Sequence, residues 1–333
     1  MRILTAAICA VAAIGCAAAA PDFDWGLPRS VAPPPVPADN PMSAAKVELG
    51  RRLFYDADLS IDGTLSCASC HEQHNGFAHS NPTRPGVKGA AGRRNPMGLA
   101  NVGYFKTLTW ADPGLTSLEQ QANVPIVGLH PVEMGMQGQE AEIARRLGGD
   151  ACYRQMFAAA FPEEEGAISL AVTTKAIAAF QRTLVSWSSP YDRYLRGERA
   201  AISQVARQGA RRFQTAGCSQ CHAGPAFTDG EFHVIAPIRG DDEGVYEKTG
   251  RKADRAAFRT PSLRNLEVTA PYLHDGSAKT LGAAIMAHEG VPRLADQDLA
   301  QIEAFLRTLT DPDFLKAERF SVPKSFCGVA RVR

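Results

Sequence analysis

Apolar and polar positions along the chain fall into helix-like stretches far more often than into strand-like alternation. After Ser43, a suitable N-cap, Val47, Leu49, Leu53 and Phe54 share one side of a segment, and this predicts a helix over 44–54. Leu170, Val172, Ile177, Phe180, Leu184 and Val185 predict another within 167–187. Residues 139–160, 202–213, 281–288 and 296–309 carry similar patterns. Alternation with period two is scarce, so the expected fold is mainly α. Between these segments, 56–63 reads as a polar turn and 80–96, rich in Gly, Pro and Arg, as a loop. Residues 224–262 lack a clear period, and 192–197 read as a link. Gly50-Arg51-Arg52-Leu53-Phe54 and Gly209-Ala210-Arg211-Arg212-Phe213 look like one element used twice, a faint internal repeat.

Each copy of that element leads into a Cys-x-x-Cys-His motif. Cys67-Ala68-Ser69-Cys70-His71 follows the first and Cys218-Ser219-Gln220-Cys221-His222 the second. Two thiols at this spacing can each form a thioether to a haem vinyl group, and the adjacent His then reaches the iron from one side. Cys-x-x-Cys alone also serves zinc and dithiol redox sites, but neither explains why His follows the second Cys both times. A helix leading into such a motif is how a cytochrome c domain begins. The expected architecture is two tandem cytochrome c-like domains with a haem in each, 42–198 and 199–312, and a tail, 313–333, packed on the body.

Composition changes this picture little. The chain has 333 residues, 45% hydrophobic and 21% charged, with a formal net charge of +1. That describes an ordinary globular protein and gives no reason to expect a nucleic-acid partner. Residues 1–20 read as an export signal: Arg2, an apolar run from Ile3 to Gly15 too short to span a bilayer, then small residues. Ala13-Ile14-Gly15-Cys16 is also a weak lipobox, which leaves a lipid anchor at Cys16 open. Export to the periplasm agrees with c-type haem. Residues 21–41, with seven prolines, form an extended lead-in. Outside the signal and the motifs only Cys152 and Cys327 remain. They could pair in an oxidising compartment or stay as separate buried thiols.

Four further segments complete the pattern: Arg94-Asn95-Pro96-Met97-Gly98-Leu99-Ala100-Asn101 running on to Trp110, Leu118 to Pro125, Pro131-Val132-Glu133-Met134, and Thr260 to Asn265 continuing to Pro271-Tyr272-Leu273-His274-Asp275-Gly276. With the two motifs, they resemble the bacterial di-haem cytochrome c peroxidase and MauG family over nearly all of 42–312. Within it, Leu108 to Pro113 and Val127 to Met134 look most similar to the di-haem enzyme associated with methanobactin (MbnH-like).

The resemblance implies roles. His71 would be the proximal ligand of a peroxide-binding haem with an open sixth position. His74 and His79 lie close in sequence and could close it, although loop histidines are the favoured reading. Glu133 would be the distal acid, with Gln121 and Pro125 lining its pocket and His130 more structural than catalytic. Trp110 would lie between the haems as an electron relay, His274 would meet a haem edge or order the interface, and Asn95, Thr269 and Pro271 would hold an inter-haem calcium ion. His222 would be the proximal ligand of the second haem. Family peroxidases place Met, and MauG Tyr, about fourteen residues after the His of Pro-Tyr-x-His-x-Gly; counted from His274, this position is His288. Met286 is the rival, and two positions on a helix turn a side chain by roughly 200°, so both do not face one iron. His288 would favour a MauG-like enzyme that spreads the oxidising equivalents of hydrogen peroxide over both haems as a bis-ferryl state. Such an enzyme would oxidise tryptophan to kynurenine on a secreted copper-binding partner protein. Met286 would favour a peroxidase drawing electrons from a small cytochrome or cupredoxin. A plain di-haem electron carrier would leave Glu133 without a task.

Overall fold

The computed structural model describes residues 23–237 and 240–330. The export signal and Cys16 lie outside them. In chain order the helices are α1 (Ala44–Phe54), α2 (Leu118–Val127), α3 (Glu140–Gly149), α4 (Ala151–Ala160), α5 (Leu170–Arg182), α6 (Pro190–Leu195), α7 (Gln204–Thr215), α8 (Tyr246–Thr249), α9 (Leu281–Met286), α10 (Asp296–Arg307) and α11 (Pro312–Lys316). The two short antiparallel hairpins are β1 (Phe232–His233) with β2 (Phe258–Arg259), and β3 (Ser325–Phe326) with β4 (Val329–Ala330). The fold is mainly α, as the patterning implies.

Two helix pairs carry the architecture. In the first half α1 crosses α5, and in the second α7 crosses α10. Each crossing is made at a glycine. A Cβ on Gly50 would lie 1.9 Å from the Ala176 carbonyl oxygen, and one on Gly209 would lie 1.8 Å from that of Gln301. Only hydrogen fits between backbones this close. One turn further on, Phe54 meets Phe180 edge to face at 5.3 Å, and Phe213 meets Phe305 at 5.4 Å. The repeated Gly-x-x-x-Phe is therefore the crossing point of both halves.

The repeat extends further than the sequence pattern suggests. Asn101 and Asn265 are both buried and left-handed, at φ 62° and 61°, and each opens a short 3-10 turn. The Asn101 amide donates to the Leu184 carbonyl just past α5, and the Asn265 amide to that of Leu309 just past α10. Their side chains meet at the junction of the halves. Asn101 exchanges hydrogen bonds with the Ser186 backbone, and Asn265 Nδ2 donates to Ser186 Oγ. Nearby, Arg264 forms a buried pair with Asp192, both contacts 2.8 Å.

Two local expectations change, and a helix forms where the pattern predicted no element. Residues 139–160 form two helices, because Asp150 leaves helical geometry and caps α4 with a hydrogen bond from the Cys152 amide. The expected link over 192–197 contains most of α6, started by Pro190 and a Ser189–Asp192 capping box. Finally, α2 forms with Pro125 inside it. The lead-in is strapped down by Asn40, whose amide donates to Glu119 Oε1 and the Lys175 carbonyl. The tail returns to the first half: Phe314 and Phe320 join its core, and Cys327 bonds to Cys152. No described helix is long and apolar enough to cross a membrane.

Candidate functional site

Both Cys-x-x-Cys-His motifs form a 3-10 turn that brings the two thiols and the following imidazole together. All four thiols are unpaired. Burial is the main effect on each, pushing Cys67 up to about 12 and Cys70 to about 11, with Cys218 and Cys221 also raised. Burial thus keeps all four thiols protonated, the form that adds to a haem vinyl group.

The proximal histidines are oriented by the loop after each motif. Phe77, at φ 60°, turns its carbonyl to His71 Nδ1 at 2.7 Å, and Phe227, at φ 54°, does the same for His222 at 3.2 Å. With Nδ1 as donor, the lone pair is on Nε2, the arrangement that second-shell carbonyls impose on metal-binding imidazoles. Burial also disfavours the imidazolium, lowering the pKa of His71 and taking His222 down to about 4.

The distal sides differ. Across a cavity of about 690 Å³, His222 faces His288 with ring centroids 6.4 Å apart. His288 Nδ1 donates to the Ala284 carbonyl at 2.9 Å, so its Nε2 is also free. Nitrogen–metal distances near 2.0–2.1 Å, as at zinc, separate two Nε2 atoms on one ion by about 4 Å; half a ring on each side brings the centroids to the observed spacing. Met286 is 48% exposed and sits at the end of α9, away from this cavity's lining.

At the first motif the His74 side chain is solvent-exposed, and buried His79, close enough to His71 to act on it electrostatically, accepts the Asn81 amide on Nδ1 at 3.0 Å, with its Nε2 4.0 Å from Glu72. Glu133 lies near both Cys67 and Cys70, and its charge opposes ionisation of both thiols, with Arg84 and Glu72 also near Cys70. Glu133 is held by its backbone. Its carbonyl accepts from Val87, the Met134 amide donates to the Pro125 carbonyl at the end of α2, and the Met134 carbonyl accepts from Ile61. Gly86 packs so tightly here that a Cβ would lie 2.0 Å from the Val132 oxygen. Burial alone raises the Glu133 pKa, as expected of a half-buried carboxyl with no compensating cation. Gln121 and Pro125 lie one turn apart on α2 beside this segment, whereas His130 is exposed and precedes a cis bond to Pro131.

Trp110 stands where the halves meet. Its Nε1 donates to the Asn95 carbonyl at 2.8 Å, and the Asn95 amide donates to the His274 carbonyl at 2.7 Å. The His274 ring stacks on Phe258 at 3.7 Å. Asn95, Trp110, Thr269, Pro271 and His274 all line the cavity that holds His222 and His288. Arg259, which the sequence pattern did not single out, lines it too; its only sequence signal is its place just before Thr260-Pro261.

Residues 44–200 match the family model described as di-haem cytochrome c peroxidase. A cytochrome c551 peroxidase of Nitrosomonas europaea is 36% identical over 84% of this chain and 85% of its own length. The methylamine utilization protein MauG of Methylorubrum extorquens is 35% identical over 85% of this chain and 82% of its own. The chain belongs to the di-haem cytochrome c peroxidase/MauG family. A crystal structure of a MauG-like protein associated with microbial copper homeostasis superposes with TM-score 0.85 at 39% identity, covering 91% of this chain and 99% of that one. Membership in this family makes the chain a di-haem, peroxide-dependent oxidoreductase with two c-type haems. The residues fit both groups: each motif offers two protonated thiols and one neutral imidazole, and the mostly apolar cavity at the second motif is bordered by Arg259, whose Nη1 is buried without a partner.

Proposed function

We propose that this enzyme is MauG-like, using hydrogen peroxide to oxidise tryptophan, through to kynurenine, on a secreted copper-binding partner protein in the periplasm. The observation that carries the reading is the His222–His288 pair. Two imidazoles stabilise ferric iron, whereas a thioether ligand raises the potential. A low-potential second haem is poorly suited to collecting electrons from a high-potential carrier and well suited to sharing oxidising equivalents with the first. The likeness to the copper-homeostasis protein supports the choice of partner.

When bound, the first haem would supply the iron that activates peroxide. Around it the residues have separable tasks. His71, its Nδ1 held by the Phe77 carbonyl, would hold the iron. Glu133 takes a proton from one peroxide oxygen and returns it to the other, a transfer its raised pKa favours. Gln121 and Pro125 shape the same pocket. His222 and His288 would hold the second haem's iron, and Trp110, lining the same cavity, would serve as the relay between the two sites. Asn95, Thr269 and Pro271 would hold a calcium ion between the halves: all three line the same cavity, and with Nδ2 committed to the Pro82 carbonyl at 3.1 Å, Oδ1 is the Asn95 side-chain atom left to offer. Oxygen donors of this kind suit a hard cation.

The test adds stoichiometric peroxide to the purified di-ferric protein. A long-lived species retaining both oxidising equivalents, with a near-infrared band, is expected, followed by oxidised tryptophan in partner candidates by mass spectrometry. The 36% identity to a cytochrome c551 peroxidase supports a second reading, peroxide reduction to water with electrons from a small cytochrome or cupredoxin. That reading prevails if the di-ferric protein ignores peroxide and reacts only after one haem is reduced.

A further inference from the structure

Arg259 is a buried cation without a counter-ion. It ends β2 and is 3% exposed. Its backbone amide donates to the Trp110 carbonyl at 2.8 Å, its Nε to the Thr109 carbonyl at 3.1 Å, and its Nη2 to Met97 Sδ at 3.2 Å. Its Nη1 is buried with no partner. No carboxylate among the described residues offsets the charge, and burial draws its pKa down to about 10. Arginine is still cationic there at neutral pH. An unpaired buried charge is among the costliest arrangements in a folded protein, whereas two other deeply buried guanidinium groups are met by carboxylates, Arg182 by Glu119 and Arg264 by Asp192.

The missing partner must be an anion, and the space for it is the cavity lined by Arg259, Cys218, Cys221, His222 and His288. A haem bound through that motif carries two propionate carboxylates. We propose that Arg259 is the counter-ion of a propionate on the second haem, received where the residue borders the cavity while Nε and the backbone amide hold Thr109 and Trp110. The guanidinium would thus tie the Thr109 carbonyl, next to the relay tryptophan, and the second haem to one planar group, which lysine cannot replace because it lacks the fork. The assignment does not depend on which substrate the enzyme oxidises.

The experiment is spectroelectrochemical titration of the holoprotein with wild-type Arg259, Arg259→Gln and Arg259→Lys, with haem content checked first. Removing a positive charge beside a propionate favours ferric iron, so Arg259→Gln should lower the second haem's reduction equilibrium about tenfold, ~59 mV for one electron. Arg259→Lys, which keeps the charge, should stay within about threefold of wild type. Unchanged potentials in a Gln variant that holds both haems would overturn the proposal, as would a shift confined to the first haem. If the Gln variant loses haem, resonance Raman of the Lys variant decides. The propionate bending band of the second haem should move when the fork is replaced by a point donor, and an unmoved band overturns the assignment.

Discussion

The two halves share one scaffold and differ in what lies opposite the proximal histidine. Both cross their helices at a glycine, turn a carbonyl onto the imidazole after Cys-x-x-Cys-His, and close with a buried left-handed asparagine. In the second half His288 comes to 6.4 Å of His222. In the first half Glu133, a carboxyl with a raised pKa, lies near the motif. On the proposed function, one half supplies a second metal ligand and the other a proton carrier. The comparison teaches how one scaffold can serve two tasks, with the contrast carried by the side chain opposite the motif.

The largest expected effect comes from removing the proton carrier. Glu133→Gln should slow the reaction with hydrogen peroxide by roughly 10²–10⁴-fold while the second haem's low-spin spectrum is unchanged. Stopped-flow absorbance measures both, and a loss of less than about tenfold would erase the functional contrast between the halves. The shared scaffold is probed by Gly50→Ala and Gly209→Ala. Each added methyl meets a carbonyl oxygen under 2 Å away and should cost about 1–3 kcal/mol, read from denaturant unfolding of the holoprotein. If one half tolerates the methyl and the other does not, the crossings are not equivalent.

His288→Met sharpens the contrast from the other side. It should raise the second haem's reduction equilibrium by at least about tenfold, ~59 mV, because a thioether favours ferrous iron; a potential that does not rise would dissociate His288 from the iron. The smallest effect at neutral pH concerns the ionisation of Glu133. Its base form takes the proton, and burial raises its pKa, so the peroxide rate should fall as pH drops through a value above the ordinary ~4.3 of glutamate. Glu133→Gln should abolish that acid limb, and a limb surviving in the variant would assign it to another group.

The sequence by itself determined the covalent chemistry and the fold class. Two Cys-x-x-Cys-His motifs and their helical approaches are local patterns, since spacing of a few residues decides which side chains meet. The same holds for Gly50 and Gly209, although a faint repeat does not say that each glycine marks a backbone crossing.

What only the tertiary structure decided depends on residues far apart in the chain. Met286 and His288 were rivals by count, and the end of α9 exposes one while the other faces His222. Cys152 and Cys327 were equally free to pair or not; the tail's return over the first core brings their Cα atoms to 5.8 Å. Glu133 has no local pattern, because its place beside Cys67 and Cys70 is set by backbone bonds to Val87, Pro125 and Ile61. Arg259 was invisible for the same reason. Arginine is ordinarily solvated, and only burial without an acid beside it makes this one conspicuous.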